Sequence, residues 1–240
     1  MPVLPASAAA ATILVYGDSL SAAYGLPQEQ GWASLLARRL QAERFDYKVA
    51  NASLSGETTQ GGRSRMAAAL AAHRPAIVIL ELGANDGLRG TALDTTRANL
   101  EAMIDASQAA GARVLLVGMR LPPNYGMPYT EKFRLLYREI AKRKRLPLVP
   151  FLFEGFGEKR EYFLPDGFHP SAAAQPVMLD TVWKELRPLL RKPVKKEFSD
   201  DWRPPPLGKS PTIAPEAGAS NQEREEFRER KKWFRSVRAT

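Results

Sequence analysis

Two stretches of this chain are apolar almost without a break, Ala76-Ile77-Val78-Ile79-Leu80 and Val114-Leu115-Leu116-Val117. Short aliphatic runs of this kind suit strands buried on both faces, the condition of a parallel sheet covered by helices. The expected strands are Thr12–Tyr16, Tyr47–Asn51, Ala76–Leu82, Arg113–Met119 and Leu146–Phe151, each bounded by turn residues. Helical patterns fall between and after them: Gly31–Glu43, with Trp32, Leu35, Leu36 and Leu40 on one face, then Thr58–Ala72, Thr91–Ala109, Pro128–Lys144 and Ser171–Leu190. Strict alternation of strand and helix implies an α/β three-layer domain with right-handed crossovers. In such sheets the site lies beyond the carboxyl ends of the strands.

Two short segments carry the chemistry. Gly17-Asp18-Ser19 places a serine just past the first strand, and Asp166-Gly167-Phe168-His169-Pro170 sets an acid and a histidine on one loop. A serine nucleophile needs a base, and the base needs a carboxylate to fix its tautomer and orientation. The chain has only two histidines, His73 and His169. His73 sits where a helix is ending, a place where the helix dipole accounts for a cation. Ser19, Asp166 and His169 are therefore the candidate catalytic residues. Asp18 is expected to brace the turn, and Asp86 to cap the segment that follows it.

These blocks, with Asn51-Ala52-Ser53-Leu54-Ser55-Gly56-Glu57-Thr58 and Gly83-Ala84-Asn85-Asp86, resemble those of the SGNH (GDSL) hydrolases. The similarity is greatest to the bacterial thioesterase I, lysophospholipase L1 and arylesterase group, and it runs from about Thr12 to about Leu190. It implies a flavodoxin-like fold with a five-stranded parallel sheet in the order 2-1-3-4-5. It also implies an oxyanion hole made by the backbone N–H groups of Ser19 and Gly56 and the side-chain amide of Asn85. A glycine suits that second position because the backbone must approach the substrate with no Cβ in the way. The segment Arg120–Tyr129 is similar to a substrate loop of this group, with Leu121, Tyr125 and Met127 as candidate acyl-binding residues.

The activity implied is hydrolysis of carboxylic esters or thioesters (acyl, aryl or lysophospholipid esters) through an acyl-enzyme. The alternatives are an O-acetyl esterase acting on carbohydrate or peptidoglycan, and a binding or tethering protein working through its tail.

Composition narrows the rest. With no cysteine, disulfides, thiolate nucleophiles and cysteine-built metal sites are excluded. Two histidines make a zinc site a poor expectation, and neither a P-loop nor a G-x-G-x-x-G fingerprint occurs, so no metal, cofactor or nucleic-acid partner is expected. There is no G-x-S-x-G elbow of the α/β-hydrolase kind. No apolar run approaches the ~20 residues of a membrane span.

Residues 12–190 are expected to form the domain. Residues 1–11 contain Ala6-Ser7-Ala8, which looks like a cleavage site and reads as the stump of an export signal, with a plain disordered start as the alternative. A periplasmic or secreted location is expected on that reading, and a cytoplasmic one on the other. Residues 191–240 are expected to form a basic, mostly disordered tail with a Pro-rich stretch, Arg203–Pro211, and a marginal helix over Glu223–Val237. The larger share of the net charge of +9 lies in this tail, which has the composition for weak contact with an anionic membrane. The chain is expected to act as a monomer on small-molecule esters.

Overall fold

The structure is a computed structural model and describes residues 10–191. The expected export-signal remnant and nearly all of the expected tail, its helix included, lie outside the described residues. Five parallel strands run β1 Ala11–Gly17, β2 Tyr47–Asn51, β3 Ile77–Glu81, β4 Arg113–Val117 and β5 Leu148–Val149, and pair in the order β2-β1-β3-β4-β5. Parallel neighbours need crossover connections, which the helices supply. These are α1 Trp32–Ala42, α2 Thr59–His73, α3 Ala84–Leu88, α4 Leu93–Ala109, α5 Met127–Lys144 and α6 Gln175–Leu186. Helix α1 packs on α6, while α2 packs on α4 and α4 on α5, giving a helical layer on each side of the sheet.

The central strands are those whose sequence is apolar throughout. β3 is buried at every position, and β1 from Thr12 to Gly17. Register pairs Gly17 with Glu81, so the ends of β1 and β3 lie side by side. On the α1–α6 side, the buried Gln175 accepts a hydrogen bond from the Trp32 N–H at 3.0 Å, and Phe45 meets Trp183 edge to face.

Three expectations change. β5 keeps only Leu148 and Val149 of the expected Leu146–Phe151, because Pro147 and Pro150 have no N–H to give the ladder. The last helix spans Gln175–Leu186 rather than Ser171–Leu190, with Pro176 in its first turn and Pro188 converting its end into a 3₁₀ turn, Arg187–Leu189. The short helix α3, entered through Gly83 at φ 115°, was not expected at all.

Candidate active site

Ser19 lies just after β1, in a turn held by its own backbone: the Ser21 and Ala22 N–H groups donate to Asp18 O at 3.2 and 2.9 Å. The Asp18 carboxyl is buried beneath it. Its Oδ1 accepts the Leu20 N–H at 3.0 Å and its Oδ2 accepts from the Asn85 amide at 3.1 Å, which is the expected bracing role. Burial pushes the Asp18 carboxyl up to about 7. Asn51 donates to Ser21 O at 2.8 Å, tying the end of β2 to the same turn.

Asp166 and His169 arrive from a loop 150 residues further along. His169 Nε2 stands 3.0 Å from Ser19 Oγ, and Nδ1 stands 2.8 Å from Asp166 Oδ2. The loop fixes the acid before the base is counted, since Asp166 Oδ1 accepts the backbone N–H groups of Phe168 and His169 at 2.9 and 3.0 Å. Those bonds, the His169 N–H first, draw the Asp166 carboxyl down to about 2. Arg160 closes the loop from outside, donating to the carbonyls of Phe163, Leu164 and Pro165. A single antiparallel bridge joins Phe163 to Pro170. The Tyr24 ring leans on the imidazole, with centroids 4.2 Å apart. With Asp166 ionised, Nδ1 carries the proton it donates, and Nε2 is left to accept from the serine hydroxyl.

Around Ser19 the donors are uneven. The N–H groups of Ser19 and Gly56 have no acceptor among the described residues. Gly56 sits at φ 79° with nothing within 4 Å of the place a Cβ would take, so backbone conformation selects glycine there rather than crowding within the chain. Asn85 differs, because its Nδ2 already donates to Asp18 Oδ2 and, at 3.0 Å, to Glu57 O.

Asp86 does not cap the segment that follows it. Buried within α3, it accepts the N–H and the hydroxyl of Thr59, the first residue of α2, and so supports that helix start beside its own N-cap, Thr58. His73 is the last residue of α2, where the dipole argument put it.

Beside Ser19 opens a cavity of ≈ 670 Å³ lined by Leu88, Met119, Leu121, Tyr125, Phe151, Phe153, Phe163 and Phe168, among others. Leu121 and Tyr125 thus fall on its wall, while Met127 is 80% exposed and is not part of the lining. Sequence reasoning missed the phenylalanines, whose run Phe151-Leu152-Phe153 reads as a strand end. It also missed Glu81, a carboxylate that closes an otherwise apolar strand. Among the described residues no cluster of three or more His, Asp or Glu is placed to hold a metal ion, and no helix is long and apolar enough to cross a membrane.

The profile of the GDSL-like Lipase/Acylhydrolase family matches residues 15–176. Esterase TesA of Pseudomonas aeruginosa is 50% identical over 188 residues, which are 78% of this chain and 94% of that protein. Thioesterase 1/protease 1/lysophospholipase L1 of Escherichia coli K12 is 42% identical over 184 residues, 77% of this chain and 87% of that protein. A crystal structure of TesA matches with a TM-score of 0.73, covering 75% of this chain and 99% of its own. With the family profile spanning most of the domain and half the residues shared with such a relative, the chain belongs to the GDSL-like lipase/acylhydrolase family.

Proposed function

We propose that this chain is a serine hydrolase that cleaves carboxylic esters or thioesters (acyl, aryl or lysophospholipid esters) through an acyl-enzyme on Ser19. The observation that carries the reading is the unbroken series Ser19 Oγ–His169–Asp166, with links of 3.0 and 2.8 Å. Ser19 Oγ attacks the carbonyl carbon while its proton passes to His169 Nε2. Asp166 holds the imidazole and offsets the charge it gains. The oxyanion is met by the N–H groups of Ser19 and Gly56 and by the Asn85 amide, which turns from one of its present acceptors to do so. His169 then gives the proton to the leaving alcohol or thiol. Water, activated by the same imidazole, releases the acid.

The cavity sets the substrate range. Its wall is mostly aliphatic and aromatic, and each buried methylene is worth up to ~0.8 kcal/mol, about fourfold in kcat/KM if realised in the transition state. Across p-nitrophenyl esters from acetate to palmitate, kcat/KM is expected to rise with the first added methylenes. Acetate as the best substrate would move the assignment to an O-acetyl esterase. Truncation after residue 191 is expected to leave this profile unchanged, because the whole constellation lies before it.

Turnover is also expected to depend on pH in one direction. A general base acts only in its unprotonated form, so kcat/KM is expected to rise with pH, and Asp166, ionised down to about 2, has no part in that rise. The measurement is kcat/KM from about pH 4 to about pH 9, with His169→Ala as control. The same rising limb in that variant would remove His169 from its role. The low Asp166 value has a stability counterpart of fixed sign: its contribution is present above the ordinary 3.8 and is lost as pH falls through about 2.

On the Ala6-Ser7-Ala8 triplet we place the enzyme in the periplasm or outside the cell. It acts as a monomer, its basic tail making at most weak contact with anionic membranes.

A further inference from the structure

Glu81 ends β3 fully buried and has no place in the reaction described above. Its Oε2 accepts the Ser21 hydroxyl at 2.7 Å and, more loosely, the Asp18 N–H at 3.4 Å. Its Oε1 is buried with no partner among the described residues. The carboxyl fills the space under the turn so completely that a Cβ on Gly17 would stand 2.5 Å from Glu81 Oε2. The same Cβ would stand 2.8 Å from both the Glu81 backbone O and Ser21 Oγ, so the neighbouring strand and the turn, as well as the carboxyl, require glycine at Gly17. The groups that face this carboxyl and Asp18 are acidic or neutral: each other, Asp86 of α3, Glu57 of the loop before α2, and the Tyr137 hydroxyl of α5, which donates to Leu82 O at 3.0 Å. No ion pair reaches either carboxyl among the described residues.

We propose that Glu81 is a positioning residue for Ser19: a buried carboxyl wedged beneath the Gly17–Ser21 turn that keeps the serine within reach of His169. The proposal rests on Ser19 being the nucleophile. Two carboxylates side by side in a dry site cannot both be charged without opposite charge to hold them, so one keeps its proton. Burial first, and Asp18 second, push the Glu81 carboxyl well above its ordinary range. As a neutral acid it serves as an acceptor for the Ser21 hydroxyl and the Asp18 N–H. Asp18 in turn accepts from Asn85, so the same wedge steadies the third oxyanion donor.

The sign of the pH effect follows. The unfolded chain releases the Glu81 proton near the ordinary 4.5, while the folded chain holds it longer. Its contribution to stability is therefore complete at acid pH and is lost as pH climbs from that value toward the folded one. Glutamine, an uncharged near-isostere, keeps the acceptor and has no proton to lose.

The test uses the full chain with Glu81→Gln and Glu81→Ala, p-nitrophenyl butyrate as substrate, and active sites counted with a fluorophosphonate probe. Glu81→Ala is expected to lower kcat per titrated site by roughly 10- to 100-fold with KM within about threefold, since misplacing the nucleophile acts on the transition state. Glu81→Gln is expected to keep kcat within about threefold. Its melting temperature, relative to wild type, is expected to gain about 2–4 °C between roughly pH 5 and roughly pH 8. Unchanged kcat per site in Glu81→Ala, a loss in Glu81→Gln as large as in Glu81→Ala, or no pH-dependent gain in Glu81→Gln overturns the proposal. If Glu81→Ala does not fold, the two Glu81→Gln readouts decide alone. Labelling of wild-type Ser19 separates the two levels: its absence sinks the esterase reading and this proposal together, while its presence with unaltered Glu81→Ala rates sinks only this one.

Discussion

Ser19→Ala is expected to lose activity by a factor on the order of 10⁶ in kcat while keeping the fold. Among the described residues the Ser19 hydroxyl has one side-chain hydrogen-bond partner, His169 Nε2, and the serine is only half-buried. Removing it leaves the imidazole nitrogen facing an open cavity that water enters, so no buried group is stranded and stability should move by less than about 0.5 kcal/mol. Labelling by a fluorophosphonate probe checks the chemistry, and a thermal melt checks the fold. Wild-type labelling of the variant would mean that another hydroxyl is the nucleophile. An unfolded variant would mean that the serine holds the turn together.

Asn85→Ala is expected to lower kcat by roughly 100- to 1,000-fold with little change in KM. The loss of one preorganised oxyanion donor costs about 2.7–4 kcal/mol, felt in the transition state. The structure adds a second expectation. Both amide hydrogens are engaged, with Asp18 Oδ2 and with Glu57 O, so the alanine also takes a donor away from a buried carboxyl. That donor helps hold the Asp18 carboxyl down, so Asp18 should bind its proton more tightly in the variant. Steady-state kinetics separate the roles: a rise confined to KM would make Asn85 a ground-state contact with substrate.

What could be read from the sequence was whatever is encoded locally. Ile77-Val78-Ile79-Leu80 is apolar because both faces of β3 are covered, and that condition is visible without knowing which helices cover it. The spacing of Asp166 and His169 is local in the same sense, since the acid accepts the very backbone N–H groups that precede and carry the base. Glu81 was missed because its meaning comes from a partner 60 residues away, Ser21, and no periodicity records that pairing. Tyr24 is a similar case, an ordinary loop tyrosine until the fold lays it against His169. The ends of β5 were lost to two prolines whose effect on the ladder shows only once the neighbouring strand is known. Asp86 was assigned to the segment after it because its actual partner, Thr59, lies 27 residues back along the chain.

The Arg160-braced loop has a consequence for how such a site is assembled. Acid and base sit on one hairpin whose internal geometry is set by bonds spanning no more than nine residues. The tertiary fold supplies its docking, which sets the gap to Ser19 and the contact with Tyr24, while the Asp–His pairing is made within the loop. Fixing the imidazole and delivering it to Ser19 are thereby separate tasks, the first met inside the loop and the second by the fold around it.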